Sequence, residues 1–321
     1  MRFLPTEEQT AFAEAIDEIV EGAGGADVAR AWADGDTAAG LALWEQFAEL
    51  GLLGLRVSEE SGGFGGTLSD LVVVFERLGY HGVPGPYLET VALLPVLVDD
   101  DTRSALASGA MATAAVDGIA PAALDATIAA HRYLVRDDTL QVGDPGEELT
   151  SVAPTRRLAR LTPNGPSTPL APGAVDAALN EAALAAAAML VGAGERLLAE
   201  AVAYARVREQ FGRPIGEFQA LKHQLADVRI ALSFARPLVW NAALRVDEAD
   251  EEKAVSAAKV AAGDAALRAA RTSLQVHGAI GYTAEHTLRI WLGLAPALSA
   301  AWGTPEFHRA RIARDILPKE R

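Results

Sequence analysis

The stretch Arg206–Gln219 (RVREQFGRPIGEFQ) brings Arg206, Arg208 and Arg213 together with Phe211 and Phe218, around Gly212, Pro214 and Gly216. Arginine forks pair with phosphate and a phenylalanine ring offers a stacking face, so this mixture suits an anionic, planar ligand. It equally suits a charged corner between two helices, with Phe211 in the core. A second stretch, Gln275–Tyr282 (QVHGAIGY), breaks a long helical pattern at glycines. Backbone N–H groups bared there could approach a phosphate or adenine closely, although an ordinary glycine helix stop reads the same way. The run Gly62-Gly63-Phe64-Gly65-Gly66 invites a phosphate-loop reading. It lacks the preceding strand and following helix such a loop needs, so a plain turn is expected.

Other chemistries find no foothold. The six histidines show no metal-ligand spacing and no HExxH, so no metal site is expected. There is no GxSxG elbow for a serine nucleophile. The absence of cysteine removes thiolates and disulfides. With 43 acidic against 28 basic residues the chain carries a formal charge of -15, which makes nucleic acid and anionic membranes poor partners. A bound nucleotide would need local basic residues. The beginning of the chain turns acidic and amphipathic at once, and no apolar run reaches membrane-span length without a charge, Gly or Pro; a cytoplasmic location is expected.

The elements that must position these stretches are mainly helical. Thr6-Glu7-Glu8-Gln9 reads as a capping box before Phe12, Ile16, Ile19 and Val20 at helical spacing. Helical patterns continue to about residue 110, including 69–78 and a buried helix within 84–98. Residues 111–172 change character. Ala112–Val116, Arg132–Val135, Thr139–Val142 and Arg157–Thr162 are short and bounded by Gly, Pro and Asp, which suits strands of a small sheet. Pro163–Gly173 (PNGPSTPLAPG) reads as a linker. From residue 173 onward, long alanine-rich patterns at Ala182–Val207, Ala220–Arg245 and Glu251–Val276 predict closely packed antiparallel helices that also meet other subunits. The fold class is therefore mainly α with a small β middle domain, divided as 1–110, 111–172 and 173–321.

Taken together, in this order and separation, the two glycine-containing stretches resemble signatures of the acyl-CoA dehydrogenase family. Arg208-Glu209-Gln210-Phe211-Gly212 with Ile215 and Phe218-Gln219 matches RxxFGxxI…FQ, and Gln275–Tyr282 matches QxxGGxGY with Ala279 for the second glycine. The resemblance also covers EEQ near the start, residues 44–66 and residues 288–317. It implies an N-terminal helical domain, a middle β-domain and a C-terminal four-helix bundle. The implied reaction is α,β-dehydrogenation of an acyl-CoA, with FAD as cofactor. In that family FAD spans a dimer interface, with the ring on one subunit's β-domain and the ADP half on the neighbour's bundle. The resemblance thus implies FAD contacts at Arg208, Gln210, Phe211, Phe218, Gln219, Gln275, Gly278 and Ala279.

The departures bear on function as much as the matches. The family's base is a glutamate just before a Gly-Thr pair. Here Gly303-Thr304 follows Trp302, which has no acceptor for a proton. A second family position for the base falls on Ala182, and Glu181 lies one residue away, rotated by roughly 100° on a helix. Glu285 and Glu306 stand elsewhere. The middle region also lacks the family's TEPxAGSD-like stretch and its tryptophan strand. These departures imply a subunit without a base of its own, completing the FAD site of a homologous full-length subunit in an α2β2 assembly, with acyl-CoA bound mainly by the partner. By analogy with shortened subunits of actinobacterial steroid degradation, the substrate would be a steroid-derived CoA thioester. The alternatives are a complete homo-oligomeric enzyme with Glu181 or Glu285 as base, and a non-enzymatic helical scaffold.

Overall fold

The computed structural model describes residues 3–245, 248–283 and 286–317. Helices α1 (Glu7–Gly22), α2 (Ala26–Ala33), α3 (Ala38–Glu49) and α4 (Leu68–His81) open the chain. The capping box at Thr6 forms as expected, with Gln9 N–H donating to the Thr6 hydroxyl and Thr6 N–H donating to the Gln9 amide oxygen. A second box at Thr67 and Asp70 starts α4. Residues Leu88–Leu93 wind as a π-helix that runs into α5 (Leu94–Leu97), followed by α6 (Asp100–Ala107).

The middle region folds into one five-stranded sheet in the order β1-β3-β4-β5-β2. Its strands are β1 (Ala112–Val116), β2 (Ala123–Leu124), β3 (His131–Arg136), β4 (Thr139–Leu149) and β5 (Leu158–Pro169). Only β1 and β3 run parallel. The expected linker is corrected here. Residues 163–169 belong to β5, with Pro169 opposite Thr139 and Pro163 opposite Gly143. Proline withholds an N–H, and this ribbon tolerates prolines because it is an exposed projection that carries β-bulges. The buried Asp125 accepts from Arg157 Nε at 2.8 Å, and the Arg157 guanidinium lies 4.7 Å above the Trp32 ring, which fastens the sheet to the N-terminal helices.

The chain then forms α7 (Ala174–Val207), a hairpin of β6 (Glu209–Gln210) and β7 (Arg213–Pro214), α8 (Gln219–Ala243) and α9 (Glu251–His277). A short 3-10 turn at Gly278–Tyr282, then α10 (Arg289–Ala300) and α11 (Pro305–Ile316), end the described chain. Helix α7 begins eight residues before the alanine-rich pattern suggested, because Gly173 in the left-handed region starts it. By length and composition α7 could span a bilayer. Instead its apolar residues, Ala182 to Gly194 almost without a break, are buried against neighbouring helices. Two glycines explain the closest approach. A Cβ on Gly79 would strike the Met189 backbone, and one on Gly192 would strike the Glu76 carbonyl, so α4 and α7 touch backbone to backbone. Trp291 of α10 donates from Nε1 to the Gly79 and Tyr80 carbonyls, both at 3.1 Å, anchoring α10 on the end of α4.

Candidate functional site

Helix α7 ends at Val207 and the chain turns through β6 and β7, paired Glu209 to Pro214 and Gln210 to Arg213. The two turn residues, Phe211 (φ 54°) and Gly212 (φ 80°), both take the left-handed conformation of a tight hairpin turn. That conformation costs a phenylalanine about 1 kcal/mol. The turn lifts Phe211 to 92% exposure, which corrects the reading of this ring as core. Phe218 stands edge-on to Phe211 at 6.2 Å, and the Arg213 guanidinium lies 4.4 Å from the Phe218 centroid. The hairpin is held from below, where Ile215 N–H donates to the Arg208 carbonyl and Ala201, Ala205 and Val276 pack with Ile215 and Leu221.

The same packing brings in the end of α9. His277 stacks on Tyr204 of α7 at 4.5 Å and donates from Nδ1 to the Ser273 carbonyl. Gly278 takes φ 62° and ends the helix, leaving Gly278 and Ala279 exposed. Gln275 lines a cavity with Gln224 of α8. The structure therefore gathers Arg208, Gln210, Phe211, Phe218, Gln219, Gln275, Gly278 and Ala279 at one end of the bundle. The exposed Phe211 ring, the half-buried Phe218 ring and the bared backbone at Gly278 and Ala279 are groups that could hold the adenosine diphosphate half of a dinucleotide.

The charge pattern agrees. In the bundle Arg196, Arg229, Arg236, Arg245, Arg289, Arg309, Arg311 and Arg314 each pair with a carboxylate. Among the described residues, Arg206, Arg208, Arg213, Arg268 and Arg271 form no ion pair; the first three lie at the hairpin and the other two on the C-terminal half of α9. In a chain with surplus acid, this end of the bundle gathers five arginines without a carboxylate partner among the described residues.

The turn carrying Trp302 is a second feature. Trp302 is 2% exposed, sits at φ 56°, and its ring nitrogen finds no hydrogen-bond partner. Next to it, a side chain on Gly303 would meet the rings of Phe307 and His308. The fully buried His308 lies with Nε2 3.0 Å from the Trp302 carbonyl and Nδ1 3.1 Å from the Ser256 hydroxyl. A carbonyl only accepts, so Nε2 carries the proton and Ser256 donates to Nδ1. Burial and the neighbouring Lys259 charge push His308 down to about 4, keeping it neutral. Lys259 is itself buried and donates to the Leu298 and Ser299 carbonyls at 2.8 and 3.0 Å, at the end of α10; burial, with the Arg156 charge, lowers it to about 7.

The carboxylates considered for catalysis are placed plainly. Glu181 is clamped by Arg56, whose Nε and Nη2 donate to its two oxygens at 2.9 and 2.8 Å, while Arg56 Nη1 also donates to the Gly66 carbonyl. Glu306 lies exposed in the first turn of α11. Glu285 lies outside the described residues. The glycine run is a turn whose N–H groups are spent internally, since Gly63, Phe64, Gly65 and Gly66 donate to Ser58, Gly54, Val57 and Leu55. Among the described residues no group of His, Asp and Glu gathers as a metal site. The sequence did not announce Lys259, Ser256, His308 or Glu89. Glu89 is 2% exposed in the π-helical segment with one carboxylate oxygen unpartnered, and burial raises it to about 7. A charged residue inside an alanine-rich or apolar helical stretch was the one available signal.

A helical front, a small mixed sheet and a helical bundle make up an acyl-CoA dehydrogenase architecture. Residues 6–97 match the acyl-CoA dehydrogenase N-terminal domain and residues 173–317 the acyl-CoA dehydrogenase C-terminal domain. The chain is 35% identical to the acyl-CoA dehydrogenase IpdE2 of Mycobacterium tuberculosis, over 97% of this chain and 98% of that one. Among solved structures it is similar to a chain of the ChsE4-ChsE5 complex from Mycobacterium tuberculosis (TM-score 0.85, 24% identity, 100% of both chains). It is also similar to the steroid ACAD Tcur3481-Tcur3483 (TM-score 0.84, 24% identity, 96% of this chain and 97% of that one). The chain belongs to the acyl-CoA dehydrogenase family, whose members are FAD-dependent oxidoreductases acting on acyl-CoA.

Proposed function

We propose that this chain is the subunit of a heteromeric, cytoplasmic acyl-CoA dehydrogenase that completes the FAD site of a catalytic partner and has no catalytic base of its own. The observation that carries this reading is Trp302. It stands where the family places its glutamate, it is buried, and its turn is held by the His308 bond to its carbonyl, with Ser256 behind the imidazole. The clamp of Arg56 on Glu181 weighs against a relocated base.

On this reading Arg208 meets the pyrophosphate, while Gln210, Phe211, Phe218 and Gln219 face the adenosine. Gln275, Gly278 and Ala279 close the cradle through amide and backbone contacts. FAD, when bound, supplies the hydride acceptor. On the same reading the partner's glutamate removes the α proton, since Glu181 is held by Arg56 and Glu306 lies exposed at the start of α11. The five-stranded sheet, with its exposed β4–β5 ribbon, lacks the stretches that cover a flavin ring in the family, so the ring rests on the partner. Further support comes from α8, which exposes Ile230, Phe234 and Leu238 along one face, an apolar stripe suited to a subunit contact. The likeness to a two-component complex and to a steroid ACAD supports a homologous full-length partner in an α2β2 assembly and a steroid-derived CoA thioester as substrate.

The test is co-expression with a homologous full-length acyl-CoA dehydrogenase, isolation of the complex and flavin counting. Two FAD for each four chains is the expected result. Four FAD, or a flavin-loaded and active assembly of this chain alone, would sink the reading.

A further inference from the structure

Arg268, Arg271 and Gln275 are spaced three and four residues apart on α9, so they share one face of the helix. Both arginines are exposed and neither forms an ion pair or hydrogen bond among the described residues. They line a cavity of about 300 Å³ together with Gln224 and Asp227 of α8, Thr272 and Gln275. Gln275 also belongs to the cradle described above, so the cavity borders it at that residue. The exposed arginines further along the bundle have found carboxylates; Arg309, for example, is paired with Asp264 on this same helix. Asp227 lines the cavity but makes no ion pair with either arginine.

We propose that Arg268 and Arg271 form a second phosphate-binding subsite beside the cradle, an inference that rests on reading this end of the bundle as a nucleotide half-site. Two guanidinium groups one helical turn apart converge on a single phosphoryl group with charge-assisted hydrogen bonds. Asp227 and Gln224 across the cavity supply acceptors for ribose hydroxyls, as acidic side chains do in other nucleotide sites. The ligand class is thus a nucleotide presenting a phosphoryl group next to a ribose. Two molecules of this reaction carry one, the dinucleotide with its pyrophosphate and the CoA thioester with its phosphorylated ribose.

Calorimetric titration of the full chain with ADP and with adenosine 3′,5′-bisphosphate, at low ionic strength, separates these sources. The double variant R268Q/R271Q is expected to weaken one of the two by about tenfold or more, the loss of a charge-assisted phosphate contact. Its melting temperature should match the wild type, because both side chains are exposed and unpartnered. Selective weakening of ADP assigns the subsite to the dinucleotide; selective weakening of the bisphosphate assigns it to the CoA end. If R268Q/R271Q binds both nucleotides like the wild type while R208Q weakens ADP, the subsite is overturned and the cradle stands. If the wild type binds neither nucleotide, the half-site reading fails and the subsite falls with it.

Discussion

His308 Nε2 donates to the carbonyl oxygen of Trp302 at 3.0 Å, so the residue occupying the family's base position is fixed through its backbone by a neutral, buried imidazole. The folded pKa of about 4 lies below the ordinary histidine value, so the unfolded chain binds the extra proton first. This contribution to stability is present above pH 6.5 and is lost as pH falls toward 4, amounting to about 3 kcal/mol. Thermal melts of the wild type and H308Q across this window should show the wild type's advantage shrinking as the medium is acidified. An unchanging difference between the two proteins would contradict the neutral imidazole.

Replacing Trp302 with glutamate restores the family's residue type without restoring its surroundings. The position is 2% exposed, so an ionised carboxylate there is desolvated and unpaired, costing about 3 kcal/mol or more. W302E is expected to melt several degrees lower, and the chain on its own should show no dehydrogenation of acyl-CoA. Turnover by W302E alone would mean that only the base had been missing.

Glu181 gives a sharper contrast between the two enzymatic readings. Its bidentate pair with Arg56 joins α7 to the segment before the glycine turn, with the two side chains 14% and 20% exposed. E181Q leaves Arg56 without its counter-charge and should cost about 2 kcal/mol in chemical denaturation. Turnover of the partner-containing complex should stay within about twofold of the wild type, well below the loss expected on removing a general base. A collapse of turnover with normal assembly would make Glu181 the base.

Local pattern carried most of the architecture. Thr6 with Gln9, the strand at Ala112–Val116 and the start of α9 at Glu251 follow from capping chemistry, β-propensity and helical spacing. The error at residues 163–169 came from treating Pro, Gly and Asn as a connection, whereas the bulged ribbon leaves those residues room on an exposed strand. The candidate site was legible as motif residues but not as geometry. Phe211 could not be told from a core ring until the turn's positive φ placed it in solvent. The Ser256–His308–Trp302 chain and Lys259 were invisible, because long-range contacts between α9, α10 and α11 leave no local pattern.

Glu89 predicts a pH response of opposite sign to His308. Burial raises its folded pKa to about 7, so the folded state holds the proton more tightly than the unfolded one. That preference stabilises the protein below about pH 4.5 and is lost as pH rises to 7. E89Q keeps a neutral side chain of the same shape throughout. Its stability relative to the wild type should therefore rise by about 3 kcal/mol between pH 5 and pH 8, read from paired denaturation curves. A relative stability independent of pH would show that Glu89 is charged at neutral pH in the fold.

The hairpin supplies the last prediction, because there function and stability separate cleanly. Phe211 is 92% exposed and Arg208 has no ion-pair partner among the described residues, so neither side chain holds the fold together. Phe211→Ala removes a stacking surface worth about 1–3 kcal/mol to a bound base, and Arg208→Ala removes a charge-assisted phosphate contact. The doubly substituted chain should assemble with its partner and melt within about a degree of the wild type, the φ 54° strain at position 211 being no worse for alanine. The isolated complex should nevertheless lose FAD on dialysis at least tenfold more readily, read from the flavin absorbance per complex. Full flavin retention would show that these residues are relics on a helical scaffold.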